Sequence, residues 1–181
     1  MTGRTRWLKL CLALGAATAL AGCASMSEQE CKTADWHDQG YRDARNGQPL
    51  SRVEDHREAC AKVGIAPDLA QYKAGRAKGV LEYCTPENGA REGRRGASYR
   101  NACPAELEGR FLDRYRAGKR VYEAERKVDS LDSRLRDLQW KLDIEKDDGK
   151  RKRLREELRE LDASLRNARN EVYEAERRLR Y

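Results

Sequence analysis

Two runs of apolar residues flank Asp147-Asp148-Gly149 and mirror one another about position 148. The first is Val121, Ala124, Val128, Leu131, Leu135, Leu138 and Leu142; the second is Leu154, Leu158, Leu161, Leu165, Ala168, Val172 and Ala175, with Leu179 beyond. Alternating steps of three and four put side chains on one stripe of an α-helix, so each run is an a/d heptad pattern. Facing positions of an antiparallel pair keep a constant index sum. Leu142 with Leu154, Leu138 with Leu158, and so on to Val121 with Ala175, all sum to 296 across seven pairs. This register predicts an antiparallel coiled-coil hairpin over 104–181 with its turn at 147–149. The segments 121–126 and 172–177 both read Val-Tyr-Glu-Ala-Glu-Arg, one on each arm. The competing arrangement is a single long helix that self-associates through the same heptads.

Pro104 suits a first helical position, and Glu106 and Glu108 suit the first turns, so the first arm starts there. The second arm ends opposite Tyr115, which leaves Leu107 and Phe111 to pack on what precedes. The arm would be about 50 Å long at 1.5 Å per residue. Its tip carries Trp140 and Ile144 outside the seam, beside Lys150, Arg151, Lys152, Arg153 and Arg155. An aromatic next to basic side chains is the candidate partner-binding surface, for an envelope protein or another anionic surface. A solvated turn is the plainer reading of the same residues.

The N-terminus reads as an address. Residues 1–22 hold Arg4, Arg6 and Lys9, no acid, and an apolar run from Leu10 to Leu20. That is a secretory signal, too short to span a bilayer, which takes about 20 apolar residues. Leu20-Ala21-Gly22-Cys23 resembles the bacterial lipobox. The resemblance implies cleavage before Cys23, acylation of that thiol with palmitate-type chains, and a tether over 23–30. Ala24 after the Cys implies the outer membrane, facing the periplasm. Two or three acyl chains anchor stably where one does not.

In an oxidising compartment, the thiols left after Cys11 and Cys23 are Cys31, Cys60, Cys84 and Cys103, which read as two disulfides with three connectivities. Helices are expected at about 32–46, 52–63 and 67–83, with a short one from Thr85-Pro86-Glu87. Antiparallel packing of the first two would bring Cys31 beside Cys60. The third, about 25 Å long, keeps Cys60 from Cys84. Cys31–Cys60 and Cys84–Cys103 are therefore favoured. Zinc held by four thiolates is the alternative, without any paired Cys-x2-Cys spacing.

Tyr72-x2-Gly75-x3-Gly79-x3-Tyr83-Cys84, followed by Gly89-x3-Gly93-x2-Gly96 and Tyr99, points to close helix packing. A phosphate-cradling loop over Asn88–Gly96, with Arg91, Arg94 and Arg95, lacks the Gly-Lys-Ser/Thr ending. These positions, with Cys31, Trp36, Gly40, Gly47, Cys60 and Cys103-Pro104, resemble the YfiL-like lipoproteins over about 31–118. That gammaproteobacterial envelope family has no assigned activity, so the resemblance implies a compartment and no chemistry.

The expected fold is all-α: a disulfide-stapled helical module over 31–103, then the hairpin. Excluding the signal, residues 24–103 carry 13 basic and 12 acidic side chains, and 104–181 carry 22 and 19. Interleaved charge argues against nucleic acid as a partner. The only histidines, His37 and His56, lie in no recognisable order with a nucleophile. No catalytic residues, metal or cofactor are expected. The function expected is a non-catalytic interaction or spacer protein, held by its acyl chains, with self-association through the coiled coil as a further interaction. The alternative is a ligand- or glycan-binding module using the Tyr/Gly-rich surface of 69–99.

Overall fold

The structure, a computed structural model, describes residues 24–180, and over these it is all-helical. The signal at 1–22 and the lipidation site Cys23 lie outside the described residues. The chain divides into two compact units, 24–34 with 54–67, and 35–53 with 68–180.

The smaller unit holds α1 (Glu28–Lys32) and most of α3 (Arg52–Ala61). Ser27 and Glu30 form a reciprocal capping box at the start of α1, which satisfies two N–H groups that a helix start leaves unpaired. Cys31 on α1 and Cys60 on α3 are joined, with Cα atoms 5.4 Å apart. Ser25 Oγ lies 2.8 Å from Nδ1 of the buried His56. Gly64, with φ of +69°, lets the chain turn away after α3. The pair 31–60 is the favoured one, but its route differs from the expected one. Cys31 does not begin a helix over 32–46: α1 stops at Lys32, and Asp35 caps a fresh helix through Asp38 N at 2.9 Å.

The larger unit opens with that helix, α2 (Trp36–Arg45), which packs on α4 (Leu69–Tyr83). Asp68 caps α4 by accepting from Ala70 N and Gln71 N, both at 3.0 Å. Thr85 caps α5 (Pro86–Arg94) by accepting from Asn88 N. Cys84 and Cys103, Cα atoms 5.6 Å apart, join the segments that precede α5 and α6 (Ala105–Ile144). Closing a loop of this kind stabilises a fold by about 3 kcal/mol, chiefly by restricting the unfolded chain.

The α5–α6 pair repeats the α2–α4 pair. Adding 49 to α2 numbers and 39 to α4 numbers carries the close approaches of Gly40 and Gly79 onto those of Gly89 and Gly118. A Cβ on Gly40 would run into Tyr72 O, and one on Gly89 into Phe111 O. A Cβ on Gly79 would meet Tyr41 O and Arg45 N; one on Gly118 would meet Ala90 O and Arg94 N. Both first helices end alike. Gln48 N donates to Asp43 O at 2.9 Å and Ala97 N to Glu92 O at 3.1 Å, with Gly47 and Gly96 at φ of +69° and +72°. These two glycines lie against the rings of Tyr83 and Tyr122. A left-handed turn capped by an aromatic leaves no room for a Cβ and disfavours any other residue. Between the pairs, Phe111 is fully buried with Tyr83, Tyr99 and Tyr115 around it, ring centroids 5.2, 5.3 and 6.1 Å away.

The expected boundary between 103 and 104 is therefore not a boundary between compact units. The first half of α6 completes the second helix pair, because Gly118 and Tyr122 are its packing residues. Beyond that, α6 pairs with α7 (Asp148–Arg180). Lys127 contacts Glu171 at 2.8 Å, Asp132 contacts Arg169 at 3.5 Å and Arg134 contacts Glu157 at 2.7 Å, so the helices run antiparallel. None of the fourteen heptad positions from Val121 to Ala175 is exposed, and Val121 and Ala168 are fully buried. Exposed ion pairs add at most about 1 kcal/mol each, so the apolar stripe carries this pairing.

Candidate docking site

The turn between α6 and α7 occupies 145–147, not 147–149, because Asp147 caps α7 and draws Asp148 and Gly149 into its first turn. Its carboxylate accepts from Lys150 N at 2.8 Å and its carbonyl from Arg151 N at 2.9 Å. Glu145 accepts from the backbone N–H groups of Lys146 and Asp147, at 2.8 and 2.9 Å. The bond from Asp147 is the main cause that holds the Glu145 carboxyl below its ordinary range, opposed by partial desolvation.

Arg151 closes the other end of the turn. Its guanidinium donates to Leu142 O at 2.7 Å and Glu145 O at 2.8 Å, carbonyls that the end of α6 leaves unpaired. Arg151 is thus a capping residue through its Nη1, a role beyond the expected one among partner-binding cations. Lys150 Nζ lies 3.8 Å from Glu145. Lys152 and Arg153 are exposed. So are Trp140, at 60%, and Ile144, at 56%, one helical turn apart on α6. Ile144, Lys141, Arg153 and Leu154 line an open hollow of about 460 Å³. Glu145 and Asp147 shape the turn, while Trp140, Ile144, Lys152 and Arg153 are exposed, as are Asp143 and Asp148.

Most of the tyrosines and glycines of 69–99 are buried in packing, while Tyr99 and Gly96 are half-buried. Tyr72 is fully buried and donates its hydroxyl to Asp43 Oδ2 at 2.8 Å. Burial is the main cause that raises its pKa, with the hydrogen bond to Asp43 adding to it. Tyr83 is buried too, and Gly75, Gly79, Gly89 and Gly93 sit under the backbones of α2 and α6. Glycine lets helices approach closely, so this face was consumed by packing. The segment is helical over 88–94 and turns at 95–96, and its side chains are engaged: Asn88 Nδ2 donates to Tyr83 O at 2.7 Å, Arg91 to Asn88 Oδ1 at 2.6 Å, Arg94 to Glu176 and Arg95 to Glu92. It offers no cradle for phosphate.

His37 is half-buried on α2. Among the described residues, no group of three or more His, Cys, Asp or Glu is placed to hold a metal, and no helix is long and apolar enough to cross a membrane. Sequence reasoning missed a second apolar surface, where Leu50 and Leu81 stand 44% and 63% exposed. Ala77 and Leu81 are four apart on α4, on the side opposite Gly75 and Gly79, and that spacing was the available signal.

Residues 35–120, a little under half of the chain, match the family model described as a protein of unknown function (DUF2799). The match ends within α6, just short of Tyr122, so it spans nearly all of the duplicated helix pairs. No curated protein and no solved structure matches the chain.

Proposed function

We propose that this chain is a non-catalytic interaction protein of the bacterial envelope, anchored in the outer membrane by acyl chains on Cys23. In this reading residues 1–22 are removed as a lipoprotein signal and 23–30 form the tether, in keeping with the lipobox and the resemblance to YfiL-like lipoproteins. Helices α6 and α7 form an antiparallel coiled-coil hairpin that presents its tip to an acidic envelope protein.

The observation that carries the reading is the exposure of Trp140 and Ile144 together at the turn end of α6. Large apolar side chains exposed as a pair beside cations mark contact surfaces more often than chance placement does. A photo-crosslinker at position 141, in cells, should capture an acid-rich envelope protein. Trp140→Ala should cut that capture about thirtyfold, the loss expected when a central aromatic anchor of about 2 kcal/mol is removed. Replacing Lys152 and Arg153 with Gln should weaken capture chiefly at low salt, because exposed charges are screened beyond about 8 Å at physiological ionic strength. Capture that survives Trp140→Ala undiminished would remove the tip from the mechanism. The anchor has its own test: Cys23→Ala should abolish palmitate labelling, and labelling that persists would defeat the lipobox assignment.

A further inference from the structure

The duplication supplies an internal control for reading α4. Leu50, Ala77, Val80, Leu81 and Leu107 surround a hollow of about 600 Å³, with Arg76 on its wall and Lys73 and Glu106 also lining it. Carried to the second helix pair, Ala77, Val80 and Leu81 become Arg116, Lys119 and Arg120, and Arg76 becomes Tyr115. The exposed apolar face of Ala77 and Leu81 is therefore a property of the first pair alone, while Val80 belongs to its buried core.

Arg76 is the more telling difference. Only 8% exposed, it donates from Nη1 to Gln48 O at 2.7 Å and from Nη2 to Ala102 O at 2.8 Å. The corresponding carbonyl of the second pair, Ala97 O, accepts from the hydroxyl of Tyr115 at 2.6 Å. A neutral phenol thus does the same structural task. Both partners of Arg76 are neutral carbonyls, and among the described residues no carboxylate reaches ion-pair distance of it. Burial is the main cause that lowers its pKa, and Tyr72, Asp43 and Tyr99 oppose that from beyond hydrogen-bond reach. A guanidinium keeps its charge even when buried, so a cation whose hydrogen bonds go to neutral carbonyls stands at an apolar hollow.

We propose that this hollow binds a free single-chain amphiphile with an anionic head, of the fatty-acid type, its carboxylate toward Arg76 and Lys73 and its chain along Ala77, Val80, Leu81 and Leu50. The volume lies within the roughly 300–1,000 Å³ of small-molecule sites and lining of this kind, apolar with few polar groups, is usual there. It corresponds to about 20 water-sized groups, enough for one medium chain and its head but not for a two-chain lipid. Charge selects the head group: the lining cations outnumber the one acid, Glu106. This site is independent of the tip.

The full chain, purified in a non-ionic detergent, is labelled with a diazirine-bearing fatty acid and the labelled peptides are mapped. Label should fall on 73–81 and 101–107, and dodecanoate should compete at least tenfold better than dodecanol. Ala77→Trp, at an exposed position, should fill the hollow and cut labelling at least tenfold with an unchanged melting temperature. Arg76→Gln, which keeps a donor, should erase the preference for dodecanoate over dodecanol. If that variant does not fold, Lys73→Gln at the rim should narrow the preference several-fold. Label elsewhere, equal competition by the alcohol, or labelling untouched by Ala77→Trp would overturn the site. So would a dimer that Leu81→Asp dissociates, since a second copy would then cover the hollow.

Discussion

Tyr115 donates its hydroxyl to Ala97 O at 2.6 Å, closing the end of α5 as Arg76 closes the end of α2 through Gln48 O. Each bond satisfies a carbonyl just past a left-handed glycine, where no helix partner remains. Tyr115→Phe should therefore destabilise the fold by about 1 kcal/mol while leaving the ring in the core. Chemical denaturation of the variant checks this; a change below about 0.3 kcal/mol would mean that water replaces the phenol at no cost.

Glycines with the same φ separate conformational strain from crowding. Gly64 and Gly47 both have φ of +69°, but nothing lies within 4 Å of a Cβ at Gly64, whereas one at Gly47 would press into the Tyr83 ring. Gly64→Ala should cost about 1 kcal/mol, the backbone penalty alone. Gly47→Ala should cost clearly more, roughly 3 kcal/mol, because Tyr83 must also move. Equal losses in thermal unfolding would show that the Tyr83 ring yields freely.

The tyrosine core makes the fold sensitive to alkali. Burial pushes the phenols of Tyr83 and Tyr99 up to about 12, and Tyr72 is raised further, again chiefly by burial. A phenol whose pKa is raised in the folded state favours folding below its unfolded value near 10, and that contribution is lost as pH rises through 12. The melting temperature should fall from about pH 10 upward. Absorbance at 295 nm should show a late group of phenols ionising together with unfolding. If all tyrosines ionise near pH 10 without loss of helix, the core is open to solvent.

The heptad stripe, the glycine-packed helix of 69–83 and the two disulfides were legible because each rests on a period or a spacing that local chemistry enforces. The duplication was not. Its halves share Gly40 with Gly89, Gly47 with Gly96, Gly79 with Gly118 and Tyr83 with Tyr122, but the two helices of each pair carry different offsets. A single-period search passes over that. The smallest helix, α1, was signalled by Ser27-x2-Glu30 and overlooked because five residues hold no hydrophobic period. At the other end, Asp147-Asp148-Gly149 reads as a turn until Asp147 is seen to act as a cap, which turns the next two residues helical. The alternative use of 69–99 as a ligand surface rested on composition alone, which cannot distinguish a face that awaits a ligand from one already covered by a helix.

Position along the stripe should decide what a substitution on the α6–α7 pair does. Leu135 lies in the seam and is partly buried, while Trp140 stands outside it and is mostly exposed. Leu135→Asp puts a carboxylate against Leu131, Leu138 and the facing stripe of α7, where it finds no partner of opposite charge in the heptad positions. Desolvating it without a partner should cost about 3 kcal/mol or more. Because α6 is continuous from the second helix pair into the arm, fraying should begin at the turn and spread toward Val121, leaving Phe111 and the tyrosine core in place. Hydrogen exchange should then accelerate at 125–175 with little change at 69–118. Trp140→Ala should leave exchange unchanged at both, since the removed ring covers little of the seam. Should Leu135→Asp instead release protection over 69–118 as well, the arm and the helix pairs fold as one cooperative block, and a tip that docks a partner could report directly on the core.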